Sequence, residues 1–193
     1  RMNQLKNIFN QISDAVKDRK NDFHTFFFSN IDNGDVQSRC VILRNFDLNS
    51  KTIFFHSDKR SPKIISLKNN PRSFCLFYNK SIKTQLRIKT SSYIHMSGDI
   101  LEKSWAKTKL SSRKCYMSKY KPSQKISNID DGIPSHLKGK TPTLIESEEG
   151  KKNFVVIENK IIWIDWLLLD SKGHQRKKFY LNKNNKKEIW LAP

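Results

Sequence analysis

Ser38-Arg39-Cys40-Val41-Ile42-Leu43-Arg44 is an apolar run with an arginine near each end. Its β-branched and aliphatic residues favour an extended strand. Outward from it the same grammar repeats. Thr52 to Ser57 is a second apolar run and Arg60-Ser61-Pro62-Lys63 a basic turn. Asn69-Asn70-Pro71-Arg72 is a breaker, Ser73 to Tyr78 a third run, and Thr84-Gln85-Leu86-Arg87-Ile88 opens a fourth. Cations and one amide therefore sit at strand ends instead of being scattered. Such an arrangement can hold a phosphorylated, planar ligand.

In an ideal strand, positions 39 and 44 face opposite sides. Both serve one ligand only across a bulge, a strong twist or a strand end; the plain alternative is two rim salt bridges. Ser61 is a good helix cap and Pro62 is at ease in a first helical turn. A helix start there offers N–H groups to a phosphate, with Arg60 and Lys63 adding charge. An ordinary capped helix with solvated lysines fits the same residues. Gln85 has an amide that both donates and accepts, as the edge of a flavin or a base requires; a polar rim residue would look the same.

Leu5, Ile8, Phe9, Ile12 and Val16 recur at helical spacing, so residues 1–22 are expected to carry an amphipathic helix ending near Lys20. Arg1 before Met2 reads as a cloning remnant and is set aside. His24 to Asn30 reads as a strand, followed by a turn at Asp32-Asn33-Gly34-Asp35. Gln37 to Asn45 and Thr52 to Ser57 are expected to pair as a hairpin around Asp47-Leu48-Asn49-Ser50. The helix from Ser61 runs to about Lys68, and 73–78 pairs with 84–93. His95 to Leu101 is read as extending that pair, and Glu102 to Met117 as helical. Residues 119–142 hold three of the six prolines and read as a long loop. Phe154–Ile157, Ile161–Leu169, Lys177–Asn182 and Glu188–Leu191 complete an antiparallel set, with a turn at Asp170-Ser171-Lys172-Gly173. Many short strands and few helices imply a mainly β fold: a closed or nearly closed antiparallel barrel with helices over its ends, in one domain spanning 1–193.

The composition suits a folded domain. Hydrophobic residues make up 36% of the 193, with 12 Phe, 5 Tyr and 4 Trp. The formal charge of +19, from 37 Lys and Arg against 18 Asp and Glu, favours anionic partners. Nucleic acid is one such partner, but the key cations cluster at strand ends and do not form one stripe. Cys40, Cys75 and Cys115 have no metal or redox spacing, so a reducing, cytoplasmic setting is the expectation. No apolar run approaches membrane-spanning length. The five histidines are dispersed, and no metal site is expected.

Towards the C-terminus, Ile164-Asp165-Trp166 and His174-Gln175-Arg176 flank the 170–173 turn. Trp166 can cover an aromatic ring, Arg176 can reach a ligand from the return strand, and His174 can act as an acid–base group or anion contact. Core packing of Trp166 and a surface His174 are the plain alternatives.

Taken in order, Ser38–Arg44, Arg60-Ser61-Pro62-Lys63, Asn69–Arg72, Gln85, Trp166, His174-Gln175-Arg176 and Trp190-Leu191-Ala192-Pro193 resemble the pyridoxamine 5'-phosphate oxidase-like flavoproteins, the FMN-binding split-barrel superfamily. The resemblance spans about 38–193. It implies a split β-barrel of Greek-key type and a homodimer with FMN at the subunit interface. It implies that Arg39, Val41, Leu43 and Arg44 line the flavin, and that His56 and Ser57 fall on a second-strand contact. Ser61 and Lys63 would bind the FMN phosphate with Arg60 nearby. Gln85, Trp166 and Arg176 would contact the ring. Arg113, Lys172 and His174 would hold a phosphorylated substrate, pyridoxamine or pyridoxine 5'-phosphate, for oxidation with oxygen. The chain departs from the family at 109–116, where Arg113 alone matches a substrate-phosphate set, and at Lys172, where the family has arginine. Flavin reduction on another substrate, or binding without turnover, is the alternative.

Overall fold

A computed structural model describes residues 3–182 and 185–193; Arg1, set aside above, and Met2, at the start of the expected N-terminal helix, lie outside the described residues. The chain divides into two compact units, each assembled from separate stretches. The first comprises Arg1–Phe55, Ser66–Tyr93 and Glu158–Pro193, and the second His56–Ile65 and Ile94–Ile157.

The first unit holds one sheet to which all nine described strands contribute: β1 (Thr25–Asp32), β2 (Asp35–Ile42), β3 (Asn45–Asp47), β4 (Thr52–Asp58), β5 (Arg72–Asn79), β6 (Thr84–His95), β7 (Phe154–Leu168), β8 (Gln175–Asn182) and β9 (Asn185–Leu191). The order is β2-β1-β5-β6-β7-β4-β3, with β8 and β9 branching from β7. The path is therefore open at both ends, and β1–β2, β1–β5, β3–β4, β5–β6, β7–β8 and β8–β9 are antiparallel.

The β1–β2 hairpin turns at Asn33 and Gly34, with φ of 49° and 85°. Two consecutive left-handed residues match the right-handed twist of the flanking strands, which is why Asn-Gly occupies them. Alternation then sorts the strand residues. Phe26 and Phe28 of β1, Phe55 of β4 and Phe77 of β5 are fully buried. Phe26 stacks on Phe77 at 4.5 Å and Phe28 packs on Phe55 at 4.7 Å. Helix α1 (Gln4–Lys17), capped by the Asn3 side chain, buries Ile8, Phe9, Ile12 and Ala15, and Phe9 meets Phe46 of β3 at 5.7 Å. A row of buried polar groups crosses the same core. Ser73 Oγ lies 2.6 Å from both Thr90 Oγ1 and Ser92 Oγ, and Cys75 Sγ lies 3.8 Å from Thr90 Oγ1. Ser92 donates to Asn159 Oδ1 at 2.7 Å, and Asn159 Nδ2 to the Ile53 carbonyl at 3.0 Å.

Several expectations change. The run from Gln37 does not reach Asn45 as one strand: β2 ends at Ile42 and pairs with β1. At the break, Leu43 N–H donates to the His24 carbonyl and Arg44 N–H to that of Phe54, so the chain changes partners there. Residues 154–168 form one 15-residue strand, not two, because Asn159 is buried with its amide bonded on both sides. After His95 the chain does not stay extended: Gly98, at φ 88°, turns it into α3 (Asp99–Lys107).

The second unit carries α3, α4 (Leu110–Arg113) and α5 (Leu144–Ser147), single turns of tighter helix at 114–117 and 148–153, and the start of α2 (Pro62–Asn69). The segment expected to be helical from 102 to 117 is broken at Thr108. Within 119–142 the regular element is one short turn at Ser135–Leu137.

Candidate functional site

In the second unit, β4 delivers His56 and Ser57 to a turn that starts α2. Ser61 N–H donates to the Asp58 carbonyl at 3.0 Å, and Ile64 N–H to that of Ser61 at 3.1 Å. The turn is tied down by Lys59 N–H on the Asn153 carbonyl at 2.6 Å. Lys63 Nζ folds back over the helix start and donates to Ser57 Oγ at 2.9 Å and Ser61 Oγ at 2.8 Å. Both serines are 6% exposed. Each hydroxyl accepts from the ammonium and still has a proton to donate. Two hydroxyls, one ammonium and the N-terminal end of a helix thus converge, which is the donor chemistry of a phosphate cradle. His56 is half-buried, its ring edge-on to Phe154 at 4.7 Å.

Arg60, expected beside the phosphate, has a different occupation. Its Nε and Nη2 donate to the two Asp58 oxygens at 3.0 and 2.8 Å, and Nη1 to the Ser118 carbonyl at 3.0 Å. Asp58 holds its pKa above the ordinary arginine value. Arg60 thereby ties the turn to the segment after α4, along one wall of a cleft of about 490 Å³ that Tyr116, Met117, His136 and Asn153 also line. Asp58 gave no signal in the sequence beyond standing two residues before an arginine.

Arg113 lies inside the second unit, 3% exposed. Nη1 donates to Ser147 Oγ and Glu148 Oε1, both at 3.0 Å, and Nη2 to the Trp105 carbonyl at 2.7 Å. Its guanidinium sits 4.3 Å from the centre of the Trp105 ring. These contacts hold α3, α4 and the 148–153 turn together. The guanidinium is oriented by the scaffold, not toward a solvent-facing ligand.

In the first unit, the arginine-flanked strand is half-exposed. Arg39 donates to Asn30 Oδ1 and more weakly to the Phe28 and Gln37 carbonyls at 3.4 and 3.3 Å. Burial pulls its pKa down from the usual arginine value. Val41 is half-buried and Arg44 is exposed, whereas the Leu43 side chain is fully buried in the core. Gln85, half-buried on β6, pairs with Tyr78 of β5. Trp166 is 5% exposed and shares the inward face of β7 with Ile164, so its ring belongs mainly to the core. Arg176 forms a fork on Asp165, Nε to Oδ1 at 3.0 Å and Nη2 to Oδ2 at 2.7 Å. Arg87 adds a third bond to the same carboxylate at 3.1 Å. Neither Asp165 nor Arg87 stood out in the sequence, although their odd-numbered places opposite the core residues Ile164 and Leu86 put both on the outward face. Lys172 and His174 are exposed on the turn before β8; His174 Nδ1 accepts the Asp170 N–H at 3.1 Å, which leaves the neutral ring's proton on Nε2.

Among the described residues no group of His, Cys, Asp and Glu could hold a metal ion, and no helix is long and apolar enough to cross a membrane.

Residues 3–96 match the model of the family described as pyridoxamine 5'-phosphate oxidase, FMN-binding domain. No curated protein matches the sequence. Among solved structures, a pyridoxamine 5'-phosphate oxidase-related, FMN binding protein from Nostoc punctiforme aligns over the whole of both chains with a TM-score of 0.78 at 16% identity. PhzG from Burkholderia lata, solved with tetrahydrophenazine-1-carboxylic acid, aligns over 98% of this chain and 91% of its own with a TM-score of 0.73 at 15% identity. A protein related to general stress protein 26 from Clostridium acetobutylicum aligns over 89% of this chain and 94% of its own with a TM-score of 0.54 at 9% identity. At such identities the likeness is one of fold, and the fold is the mainly β, barrel-like one expected from the strand pattern. The family resemblance read from the sequence is borne out with it.

Proposed function

We propose, from a chain of the pyridoxamine 5'-phosphate oxidase-like FMN-binding family, an FMN-dependent oxidoreductase. The observation that carries this reading is the convergence of Lys63 with Ser57 and Ser61 at the start of α2. This donor set fits a phosphate monoester dianion. Ring contacts are assigned to Arg39, Val41, Arg44, Gln85 and Arg176, with His56 beside the phosphate turn; Leu43 and Trp166 contribute through backbone and through the packing that positions their neighbours. FMN, once bound, supplies the hydride-accepting chemistry, and the protein supplies position and charge. His174, whose Nδ1 is taken up by the Asp170 N–H, offers its Nε2–H as a hydrogen-bond donor to an anionic substrate group at the exposed turn, and Lys172 beside it offers charge to the same group.

Pyridoxamine or pyridoxine 5'-phosphate is the first substrate to try, with oxygen as acceptor. The burial of Arg113 favours a different one, because it removes the counterpart that would grip a substrate phosphate. Flavin-dependent turnover of a non-phosphorylated substrate is the second reading on that ground.

A homodimer with FMN at its interface belongs to the same proposal. The outward face of β1, β2 and β5 supports it: Phe27, Val36 and Tyr78 are 47%, 73% and 44% exposed, and Phe27 pairs across the sheet with exposed Cys40. A cytoplasmic setting goes with it.

The test compares FMN with riboflavin. The purified protein should take up FMN and turn yellow, and Lys63→Ala should lose more than about tenfold in FMN affinity while leaving riboflavin binding unchanged. Equal loss for both, or no flavin uptake by the unaltered protein, sinks the phosphate assignment. Oxygen consumption with pyridoxamine 5'-phosphate then decides between the two substrate readings.

A further inference from the structure

On the outward face of the first unit's sheet, one carboxylate serves two arginines. Asp165 is 3% exposed, and its oxygens accept three bonds: two from Arg176 and one from Arg87. A buried carboxylate needs such satisfaction, since an uncompensated charge there is strongly unfavourable. Two guanidiniums against one carboxylate leave one positive charge unmatched. That charge faces outward, because the Arg87 side chain is 43% exposed and that of Arg176 28%. Arg87 also lies 5.7 Å over the Phe74 ring, which meets Trp163 edge-on at 5.5 Å. Gln85 precedes Arg87 by two residues on β6, so both project from one face.

We propose that Asp165 is a positioning residue that fixes Arg87 and Arg176 and sets the net charge this face presents to a bound flavin ring. The proposal rests on the flavin reading above. Arg176 is the residue assigned to the ring; Asp165 holds its fork in one orientation by a two-point bond that an amide cannot reproduce. Charge near a flavin ring tunes its potential, since a more positive surrounding stabilises the electron-rich reduced form. Arg87 therefore raises the potential, and Asp165 lowers it by offsetting one of the two arginines.

The experiment measures the reduction potential of bound FMN in the holoprotein, together with its FMN affinity and thermal unfolding. Asp165→Asn is expected to shift the potential positive, and Arg87→Met to shift it negative. Opposite shifts from two variants at one cluster are not the product of a merely structural role, which would lower the unfolding temperature and leave the potential of the folded holoprotein in place. Should Asp165→Asn fail to fold, Arg87→Met still decides, because Arg87 is substantially exposed. If the unaltered protein binds FMN and neither potential moves, or both move the same way, the proposal fails and the flavin reading survives. If the unaltered protein binds no FMN, both fall.

Discussion

Arg113 and Trp105 are joined twice: Nη2 of the arginine donates to the tryptophan carbonyl at 2.7 Å, and the guanidinium lies 4.3 Å from the centre of the indole ring. The indole Nε1 closes the set by donating to Glu148 Oε1, the same oxygen that accepts from Arg113. An arginine so placed is part of the framework of its unit. Arg113→Met, which keeps the apolar stem and removes the charge, should destabilise the protein by about 3 kcal/mol. For a chain of this size that lowers the unfolding midpoint by roughly 6–12 °C. Thermal denaturation checks it; an unchanged midpoint with altered substrate binding would return Arg113 to the ligand.

Asp130 latches the loop after Ser118. Its carboxylate accepts the Gly132 N–H at 2.8 Å and the Tyr120 hydroxyl at 3.1 Å, and pairs with Lys119 at 3.0 Å. These bonds, the Gly132 N–H first, bring its pKa from 3.8 down to about 2. A carboxyl with a lowered folded-state value lends stability that is complete above its unfolded value and lost as pH falls toward the folded one. The latch is therefore expected to hold at neutral pH and to release between about pH 4 and pH 2. Carboxyl chemical shifts followed by NMR through that range would report it, and Asp130→Asn should remove the transition.

Gly132 sits at φ 71°, and a β-carbon there would come within 2.4 Å of Ser118 Oγ and 2.8 Å of the Tyr120 ring. Ser118 Oγ is itself held on the Asp131 carbonyl at 2.7 Å, so it has little room to yield. Gly132→Ala should cost roughly 1–3 kcal/mol, confined to this loop. Faster proteolytic cleavage between 119 and 132 at an otherwise modest change in unfolding temperature is the expected signature.

The three thiols should separate by reactivity. Cys75 is fully buried, and burial pushes its pKa up to about 12, so it should resist alkylation until the protein unfolds. Cys40 and Cys115 are exposed and should react in the native state. Because Cys40 lies on the face assigned to the dimer, its reaction should slow as protein concentration rises, while that of Cys115 stays constant. Labelling followed by mass spectrometry reads both, and a concentration-independent Cys40 would count against that face as the interface.

Much of the sheet was legible because alternation is a local signal. Phe26 and Phe28, or Leu86 and Ile88, bury every second side chain whatever else the chain does. The Asn33-Gly34 turn was legible because two left-handed residues restrict composition strongly. The break at Leu43-Arg44 was not, since it depends on carbonyls of His24 and Phe54 far away in sequence. Nor was the continuity of β7: Glu158-Asn159-Lys160 looks like a turn until Ser92 and Ile53 supply partners for the Asn159 amide. Of the Ser57, Ser61 and Lys63 cluster proposed for the phosphate, Ser61 and Lys63 could be named from their turn, and Ser57 from the family resemblance. The diversion of Arg60 to Asp58, of Arg113 to Trp105, and the pairing of Arg87 and Arg176 on Asp165 are long-range or rotameric outcomes that residue types alone do not settle.

The row of polar groups through the first unit's core also has a sense of direction. Asn159 Nδ2 donates to the Ile53 carbonyl, so its oxygen must accept, and Ser92 gives its single proton there. Ser92 can then only receive from Ser73, and Ser73 only from Thr90. Thr90 is left to receive from Cys75, which remains a protonated thiol across the physiological range. One amide thus dictates the orientation of three hydroxyls and a thiol across four strands. A single reversal anywhere along the row would set two protons, or two lone pairs, against each other, so this wire admits one polarity.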